Sequence, residues 1–112
     1  MRESAIQGRC LRHLEASGLY GRKIVVANRA GAPDIVACVR GRFVGFEIKT
    51  EKGRQSELQK YNEREILRSG GLYFIIKGFG EFREILAGII QEEEIGKRSE
   101  EWLTRLLLRC SR

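Results

Sequence analysis

The sequence is poor in the features that divide chains into domains or anchor them in membranes. It has one proline among 112 residues and no low-complexity stretch, so nothing marks a linker. No apolar run approaches the roughly 18 residues of a membrane-spanning helix. The longest apolar candidate, 71–76, has the length of a β-strand. We therefore expect a single domain, residues 1–112, with one hydrophobic core.

Cysteine is also scarce. Cys10, Cys38 and Cys110 are an odd number and lack C-x-x-C spacing, which disfavours a disulfide framework and a zinc site. We interpret them as small buried apolar residues in a reducing compartment. Residues 1–4 carry charge where a signal peptide needs apolar residues, so we expect an intracellular, cytoplasmic protein.

Positive charge, by contrast, is in excess. Lysine and arginine number 21 against 15 acidic residues, giving a formal net charge of +6. This balance favours an anionic partner, and nucleic acid is the usual one. By itself the signal is weak, since many basic proteins are merely soluble.

Hydrophobic spacing and glycine positions predict the order α-β-β-β-α-β followed by two helices. The predicted helices are 2–17, 56–68, 81–93 and 99–109, and the predicted strands are 23–29, 34–39, 42–50 and 72–77. Arg40-Gly41 is a tight-turn signal, which makes the second and third strands a hairpin. The last strand is apolar throughout, which indicates a central position. The fold class is therefore α/β, with a mixed sheet flanked by helices.

Three of the predicted helices have an apolar face at helical spacing. These faces comprise Ile6, Cys10, Leu11 and Leu14 in the first helix, Leu58, Tyr61, Asn62 and Ile66 in the second, and Trp102, Leu103, Leu106 and Leu107 in the last. The last face, 102–108, would either form a dimer surface or cover the sheet.

The third strand places an acid and a base side by side. Alternation directs Val44, Phe46 and Ile48 to the core, and Phe43, Gly45, Glu47 and Lys49 to the other face. Glu47 and Lys49 are then about 7 Å apart along the strand, and Gly45 leaves room for a close approach. An acid and a base two residues apart on a strand most often belong to a solvent-exposed face with no further role. The apolar flanks nevertheless indicate a central strand, where unpaired charge is costly.

Asp34 begins the second strand, directly after Pro33. Alone it would be interpreted as a turn residue. The hairpin, however, brings it to the same sheet end as Glu47, and two adjacent carboxylates repel unless a cation lies between them. Hard oxygen ligands in an incomplete site suit Mg²⁺ or Mn²⁺.

Two helix residues complete the candidate set. Glu3 lies on the line of Ile6 and Cys10, although a first-turn acid favoured by the helix dipole is the simpler interpretation. Gln59 lies at the edge of the second helix's buried face. It could orient a water or a phosphate oxygen, or be an ordinary half-exposed polar residue.

Together these residues resemble the signature of the PD-(D/E)xK nuclease superfamily, and more narrowly the small stand-alone form of the VRR-NUC family. The match has four parts: Glu3 in the first helix, G-x-P-D-I at 31–35, F-E-I-K-T at 46–50 and S-x-x-Q at 56–59. A lone P-D-x(n)-E-x-K arises often by chance, whereas the four parts in this order of elements are fairly specific.

The resemblance implies a restriction-endonuclease-like core and metal-dependent hydrolysis of DNA phosphodiesters. It implies that Asp34, Glu47 and the Ile48 carbonyl hold Mg²⁺ or Mn²⁺, with Glu3 bound directly or through water. Lys49 and Gln59 would act on the nucleophile and the phosphate. Relatives of this kind resemble Holliday-junction resolvases that act as homodimers on branched DNA, which suits a phage or bacterial host cell.

Several cations near the site in sequence are candidates for DNA backbone contacts. They are Arg29, Arg42, Lys52 and Arg54, with Lys23 and Arg40 beside them. For any one of them a solvated surface role is equally ordinary. Two rival functions stay open: a non-specific or nicking restriction-like endonuclease, and a non-catalytic DNA-binding domain of the same fold.

Overall fold

The structure is a computed structural model that describes residues 2–50 and 52–92. Its elements are α1 (Glu3–Ala16), β1 (Tyr20–Lys23), β2 (Ile35–Val39), β3 (Arg42–Ile48), α2 (Glu57–Arg68) and β4 (Leu72–Ile76), and residues 79–92 form α3. The predicted α-β-β-β-α-β order is confirmed. The predicted helix 99–109, its apolar face and Cys110 lie outside the described residues.

The four described strands form one mixed sheet in the order β1-β2-β3-β4. β1, β2 and β3 are antiparallel neighbours, whereas β4 runs parallel to β3. Arg40 and Gly41 adopt φ values of 53° and 88°, which is the backbone of a two-residue hairpin turn of type I′. The predicted hairpin is therefore confirmed. α2 provides the crossover that a parallel pair requires.

The first strand lies earlier than the sequence predicts. β1 ends at Lys23, and Val25 and Val26 lie in a loop with 81% and 87% of their surface exposed. The last hydrogen bond between the two segments joins the Ile24 N–H to the Asp34 carbonyl at 2.8 Å. The next residue of the neighbouring segment is Pro33, which has no N–H to continue the strand pairing. The two valines therefore have high β propensity without a partner strand.

β4 is the edge strand of the described sheet, so its predicted central position is wrong. Its apolar character has another cause, because side chains on both of its faces pack against other elements, although Ile75 is 37% exposed. α2 packs against β4, and Phe74 stacks on Phe46 of the core with ring centroids 6.0 Å apart.

The main core lies between one face of the sheet and the helices α1 and α3. Val44, Phe46 and Ile48 are buried as predicted, against side chains from both helices: Ile6, Cys10, Leu14, Phe82, Leu86 and Ile89. Burial raises the pKa of the Cys10 thiol to about 11. Cys38, by contrast, is exposed, so its prediction as a buried residue is wrong. No helix in the described part of the chain has the length and apolarity to cross a bilayer.

α2 approaches the opposite face of the sheet without burying any residue completely. Its predicted apolar face is only partly correct, because Leu58 and Tyr61 are exposed. Ile66 makes the close approach: a Cβ on Gly71 would lie 2.9 Å from its Cγ2 atom, and one on Gly45 would lie 3.4 Å from its Cδ1 atom. The helix therefore packs on the sheet mainly where Ile66 contacts Gly45 and Gly71, and not through a broad apolar face.

Gly45→Ala should destabilise the protein by about 1–3 kcal/mol, the usual cost of overpacking. A Cβ at Gly45 would lie 2.8 Å from Pro33 Cγ, so the clearance at this glycine is filled by Pro33. Because Pro33 precedes Asp34, we also expect the change to displace the Asp34 carboxylate. Urea unfolding measures the stability change.

Gly88→Ala is the matched control, since a Cβ there meets no atom within 4 Å. In a helix this change should stabilise by about 0.5–1 kcal/mol. Equal stability of Gly45→Ala and wild type would show that Pro33 moves aside at no cost.

Candidate functional site

The candidate site lies where β2 begins and β3 ends. β2 and β3 pair Ile35 with Phe46, so Asp34 comes next to Glu47 at this sheet end. The Asp34 carboxylate accepts a hydrogen bond from the Ile48 N–H at 2.7 Å. The predicted convergence of Asp34 with the end of β3 is therefore observed, and the hydrogen bond fixes the position of the carboxylate.

Glu47 is the one charged residue that is buried among those described, with none of its surface exposed. Its Oε1 atom accepts a hydrogen bond from the Tyr73 hydroxyl, whereas Oε2 has no hydrogen-bond partner among the described residues. Burial raises the pKa of this carboxyl; Asp34 and Glu63 raise it further, and Tyr73 and Lys49 oppose them. A buried carboxylate oxygen without a partner is costly unless a ligand binds it.

A hydrogen-bond network that the sequence did not reveal holds Glu47 in place. The Gln55 side-chain amide donates to Glu63 Oε1 at 3.0 Å and to the Tyr73 hydroxyl at 3.3 Å, and Tyr73 donates to Glu47. Burial and the bond to Glu47 raise the pKa of Tyr73. The available signal was one tyrosine in an otherwise apolar strand. Only the parallel pairing of Tyr73 with Gly45 shows that it reaches Glu47.

Lys49 and Glu3 lie at the same end of β3. Lys49 is half-buried, its N–H donates to the Ile76 carbonyl at 2.9 Å, and its charge lowers the pKa of Glu47. Glu3 is the point at which α1 meets the end of β3, because its Oε1 accepts from the Thr50 N–H at 3.3 Å. Glu3 thus has a structural role that is independent of any metal.

Gln59 has a local structural role as well. Its side-chain oxygen accepts from the Ser56 N–H at 2.8 Å, and its own N–H donates to Ser56 Oγ at 3.1 Å. This reciprocal pair is a capping box at the start of α2. The capping box therefore accounts for the S-x-x-Q motif locally, and it leaves the Gln59 Nε2 group unused.

The predicted DNA-contacting cations fall into two groups. Lys23, Arg29, Lys52 and Arg54 lie in segments that begin or end at the carboxylate end of the sheet. Arg40 and Arg42 lie at the hairpin turn, the opposite end of β2 and β3, where the Arg42 Nε donates to the Gly70 carbonyl at 3.3 Å. The second group is thus remote from Glu47.

The oxygen atoms at this sheet end fit a small hard cation, although the protein donors are few. No cluster of three or more His, Cys, Asp or Glu side chains suited to a metal occurs within 2–50 and 52–92. Two carboxylates, Asp34 and Glu47, meet beside the Ile48 backbone, and one Glu47 oxygen is left over. Such an incomplete oxygen set suits Mg²⁺ or Mn²⁺, which keep several waters or substrate oxygens as ligands.

A search of the solved structures finds a close match in fold. The matching structure is described as a VRR_NUC domain, with a TM-score of 0.67 and 24% sequence identity over 76% of this chain and 94% of that chain. This chain has the VRR_NUC fold. The resemblance drawn from the sequence is thereby confirmed at the level of fold, as is the restriction-endonuclease-like fold class. No protein-family model matches the sequence, and a search of the curated proteins gives no match.

In this VRR_NUC fold, Tyr73→Phe should weaken the site without unfolding the protein. The change removes the hydroxyl that donates to Glu47, and that hydrogen bond lowers the pKa of the carboxyl. We expect the pKa of Glu47 to rise further, and any divalent cation that binds this carboxylate to bind more weakly by about 10-fold.

The control for Tyr73→Phe is Tyr61→Phe, which changes an exposed tyrosine on α2. Metal titration followed by melting temperature reports binding without turnover. An unchanged Glu47 pKa and unchanged metal affinity in Tyr73→Phe would contradict the assigned role of the hydroxyl.

Proposed function

We propose that this protein is a VRR-NUC-type endodeoxyribonuclease that hydrolyses DNA phosphodiester bonds with Mg²⁺ or Mn²⁺ and prefers branched DNA. The observation that carries the proposal is the meeting of Asp34 and Glu47 beside Lys49, at one sheet end of a VRR_NUC fold. The buried Glu47 oxygen that has no partner among the described residues supports it, because a structural carboxylate would be satisfied by the protein.

In this proposal Asp34, Glu47 and the Ile48 carbonyl would hold the metal, and Glu3 would contribute directly or through water. A divalent ion held there would supply Lewis-acid chemistry to the scissile phosphate and to a bound water. Tyr73 holds one Glu47 oxygen so that the other stays available. The Ile48 N–H does the same for Asp34, since it occupies only one oxygen of that carboxylate.

The nitrogen groups of the site act on the reacting phosphate. The Lys49 ammonium, on the same strand face as Glu47, positions the attacking water and offsets negative charge that develops in the transition state. The Gln59 Nε2 group, which the capping box leaves unused, donates to the nucleophile or to a phosphate oxygen. The capping box holds Gln59 at the first turn of α2 and so limits where that group can reach.

Preference for branched DNA and homodimer formation are the finer parts of the proposal. The chain is basic, with a formal net charge of +6 and 8% aromatic residues, which favours contacts with the DNA backbone over base stacking. Two subunits would let two sites cut two strands. Light scattering tests for the homodimer, and a protein that is monomeric at all concentrations would contradict this part of the proposal.

The decisive experiment incubates the protein with linear, nicked, flapped and four-way DNA in Mg²⁺, in Mn²⁺ and in EDTA. We expect cleavage only with metal, and faster cleavage of the branched substrates. Cleavage of every substrate at one rate would favour the restriction-like alternative. Binding without cleavage in either metal would favour the non-catalytic DNA-binding module.

Asp34→Asn supplies the matched inactive variant for that assay. Asparagine keeps an oxygen that can accept the Ile48 N–H, so the local structure is retained, whereas the negative charge is lost. We expect wild-type melting in EDTA and no cleavage. Cleavage at the wild-type rate would show that Asp34 has only its structural role.

A further inference from the structure

A cleft of about 520 Å³ borders the candidate site and is lined by three cations. Arg9 comes from α1, Lys52 from the segment after β3, and Lys77 from the residues between β4 and α3. Ile6 and Phe79 give the cleft an apolar portion. Three separate parts of the chain therefore place a positive side chain at the same opening.

Two backbone hydrogen bonds connect the segments that line the cleft to residues of the candidate site. Thr50 lines the cleft, and its N–H donates to Glu3 at 3.3 Å. Lys77 directly follows Ile76, whose carbonyl accepts from the Lys49 N–H at 2.9 Å. A ligand in the cleft would therefore lie beside the end of β3, next to the segment that carries Lys49.

The charges of the cleft are not neutralised by the described part of the protein. Within that part, no ion pair involves Arg9, Lys52 or Lys77, and no acidic side chain lines the cleft. The Arg9 guanidinium lies over the Phe79 ring at 4.2 Å from its centroid, which holds it at the cleft wall. Such a concentration of positive charge attracts an anion.

Two glycines keep one wall of the cleft open. A Cβ on Gly78 or Gly80 would meet no atom within 4 Å, and neither residue has a positive φ. Packing of the described residues therefore does not require glycine at either position. The first helical bond of α3 joins the Phe82 N–H to the Gly78 carbonyl at 3.2 Å, so the N–H groups just before Phe82 have no acceptor within the helix. They add to the positive potential of this wall.

We propose that this cleft binds the sugar-phosphate backbone of the DNA substrate, at phosphates next to the one that reaches Asp34 and Glu47. The inference rests on the proposed nuclease function and names the surface that holds its substrate. Lysine, arginine and backbone N–H groups are the usual phosphate ligands and do not distinguish bases. The cleft therefore contributes affinity and orientation without sequence preference.

The test compares wild type with the triple variant Arg9→Gln, Lys52→Gln, Lys77→Gln. Binding of a fluorescein-labelled four-way DNA is measured by anisotropy in EDTA, from low to moderate salt. The slope of log affinity against log salt should become shallower by about 0.9 for each phosphate that is no longer neutralised, up to about 2.7. In Mg²⁺, KM for cleavage should rise far more than kcat falls.

The matched control removes equal charge elsewhere, with Lys60→Gln, Arg64→Gln and Arg83→Gln. Each triple variant lowers the formal net charge of +6 by three. All three control residues are exposed on α2 or α3. An equal change of slope in both triple variants would mean that only net charge matters, and would overturn the cleft assignment.

A second pair of variants tests the cleft without changing charge. Gly80→Gln places a side chain at the open wall, whereas Gly88→Gln adds the same side chain farther along α3, where a Cβ also meets no atom within 4 Å. We expect weaker DNA binding for Gly80→Gln alone. Equal affinities of these two variants would contradict the proposal even if the triple variant failed to fold.

The experiments distinguish a wrong cleft assignment from a wrong nuclease function. If wild type cuts DNA and the cleft variants bind and cut like wild type, the cleft inference is wrong and the nuclease function stands. If wild type neither binds nor cuts any DNA, both are wrong.

Discussion

Lys49→Ala should reduce DNA cleavage by about 10²–10⁴-fold, the range typical of removing a catalytic proton-transfer or charge-stabilising group. The protein should stay folded, because the backbone bond from the Lys49 N–H to the Ile76 carbonyl, 2.9 Å long, does not involve the side chain. DNA affinity in EDTA should change little, since one charge among many is removed. Single-turnover cleavage of a four-way DNA measures the effect.

The pH profile of Lys49→Ala separates its two effects on the site. Lys49 lowers the pKa of Glu47 by its charge, so its removal should move the acidic limb of any residual activity to higher pH. Lys60→Ala is the control, because Lys60 forms an exposed ion pair with Glu57 at 3.2 Å that contributes little to stability. Normal cleavage by Lys49→Ala would refute the site assignment.

Glu47→Gln should abolish cleavage and yet raise stability in EDTA at neutral pH. Burial raises the pKa of the Glu47 carboxyl, so its ionised form is destabilised in the folded protein. Glutamine is neutral and keeps an oxygen for the Tyr73 hydroxyl. We expect a gain of about 0.5–2 kcal/mol, the usual size of a single stabilising substitution, which corresponds to several degrees in melting temperature.

The pH dependence of wild type in EDTA follows from the direction of that shift. Between the unfolded pKa of Glu47 and its raised folded value, the folded state binds more protons than the unfolded state. The Glu47 contribution to stability therefore falls as pH rises through this window, and the full cost is present above it. The stability difference between wild type and Glu47→Gln should shrink on acidification.

Added Mg²⁺ gives the complementary result. It should stabilise wild type by about 2.7 kcal/mol at 100 times its dissociation constant, and Glu47→Gln by far less. Glu84→Gln is the control, because it removes an equal charge at an exposed position on α3. A variant Glu47→Gln that is less stable than wild type in EDTA would contradict the account of the buried carboxylate.

Local patterns in the sequence predicted the parts of the fold that depend on nearby residues. The hairpin follows from Arg40-Gly41, whose positive φ values suit its two-residue turn. Alternation placed Glu47 and Lys49 opposite Val44, Phe46 and Ile48. Helical spacing found the buried residues of α1. Each of these signals lies within a few neighbouring residues, so it can be recognised without knowing which distant segment packs against it.

The errors come from features that depend on a distant partner. Val25 and Val26 have strand-forming side chains, but the opposite chain is a loop ending at Pro33. β4 is apolar although it is an edge strand, because most of its side chains pack against α2 or the core. Cys38 and Leu58 are exposed for the same reason, because burial depends on which surface lies opposite.

The sequence by itself determined that Asp34, Glu47 and Lys49 lie at one end of the sheet, because a hairpin and a two-residue repeat bring these residues together. The tertiary structure alone decided how the set is supported. Tyr73 reaches Glu47 across 26 residues of sequence through the parallel pairing of β4, and this contact leaves one Glu47 oxygen without a partner among the described residues. The basic cleft likewise combines three segments whose proximity no local pattern encodes. Contacts between distant segments depend on how the whole chain packs, so they can be recognised only in the folded protein.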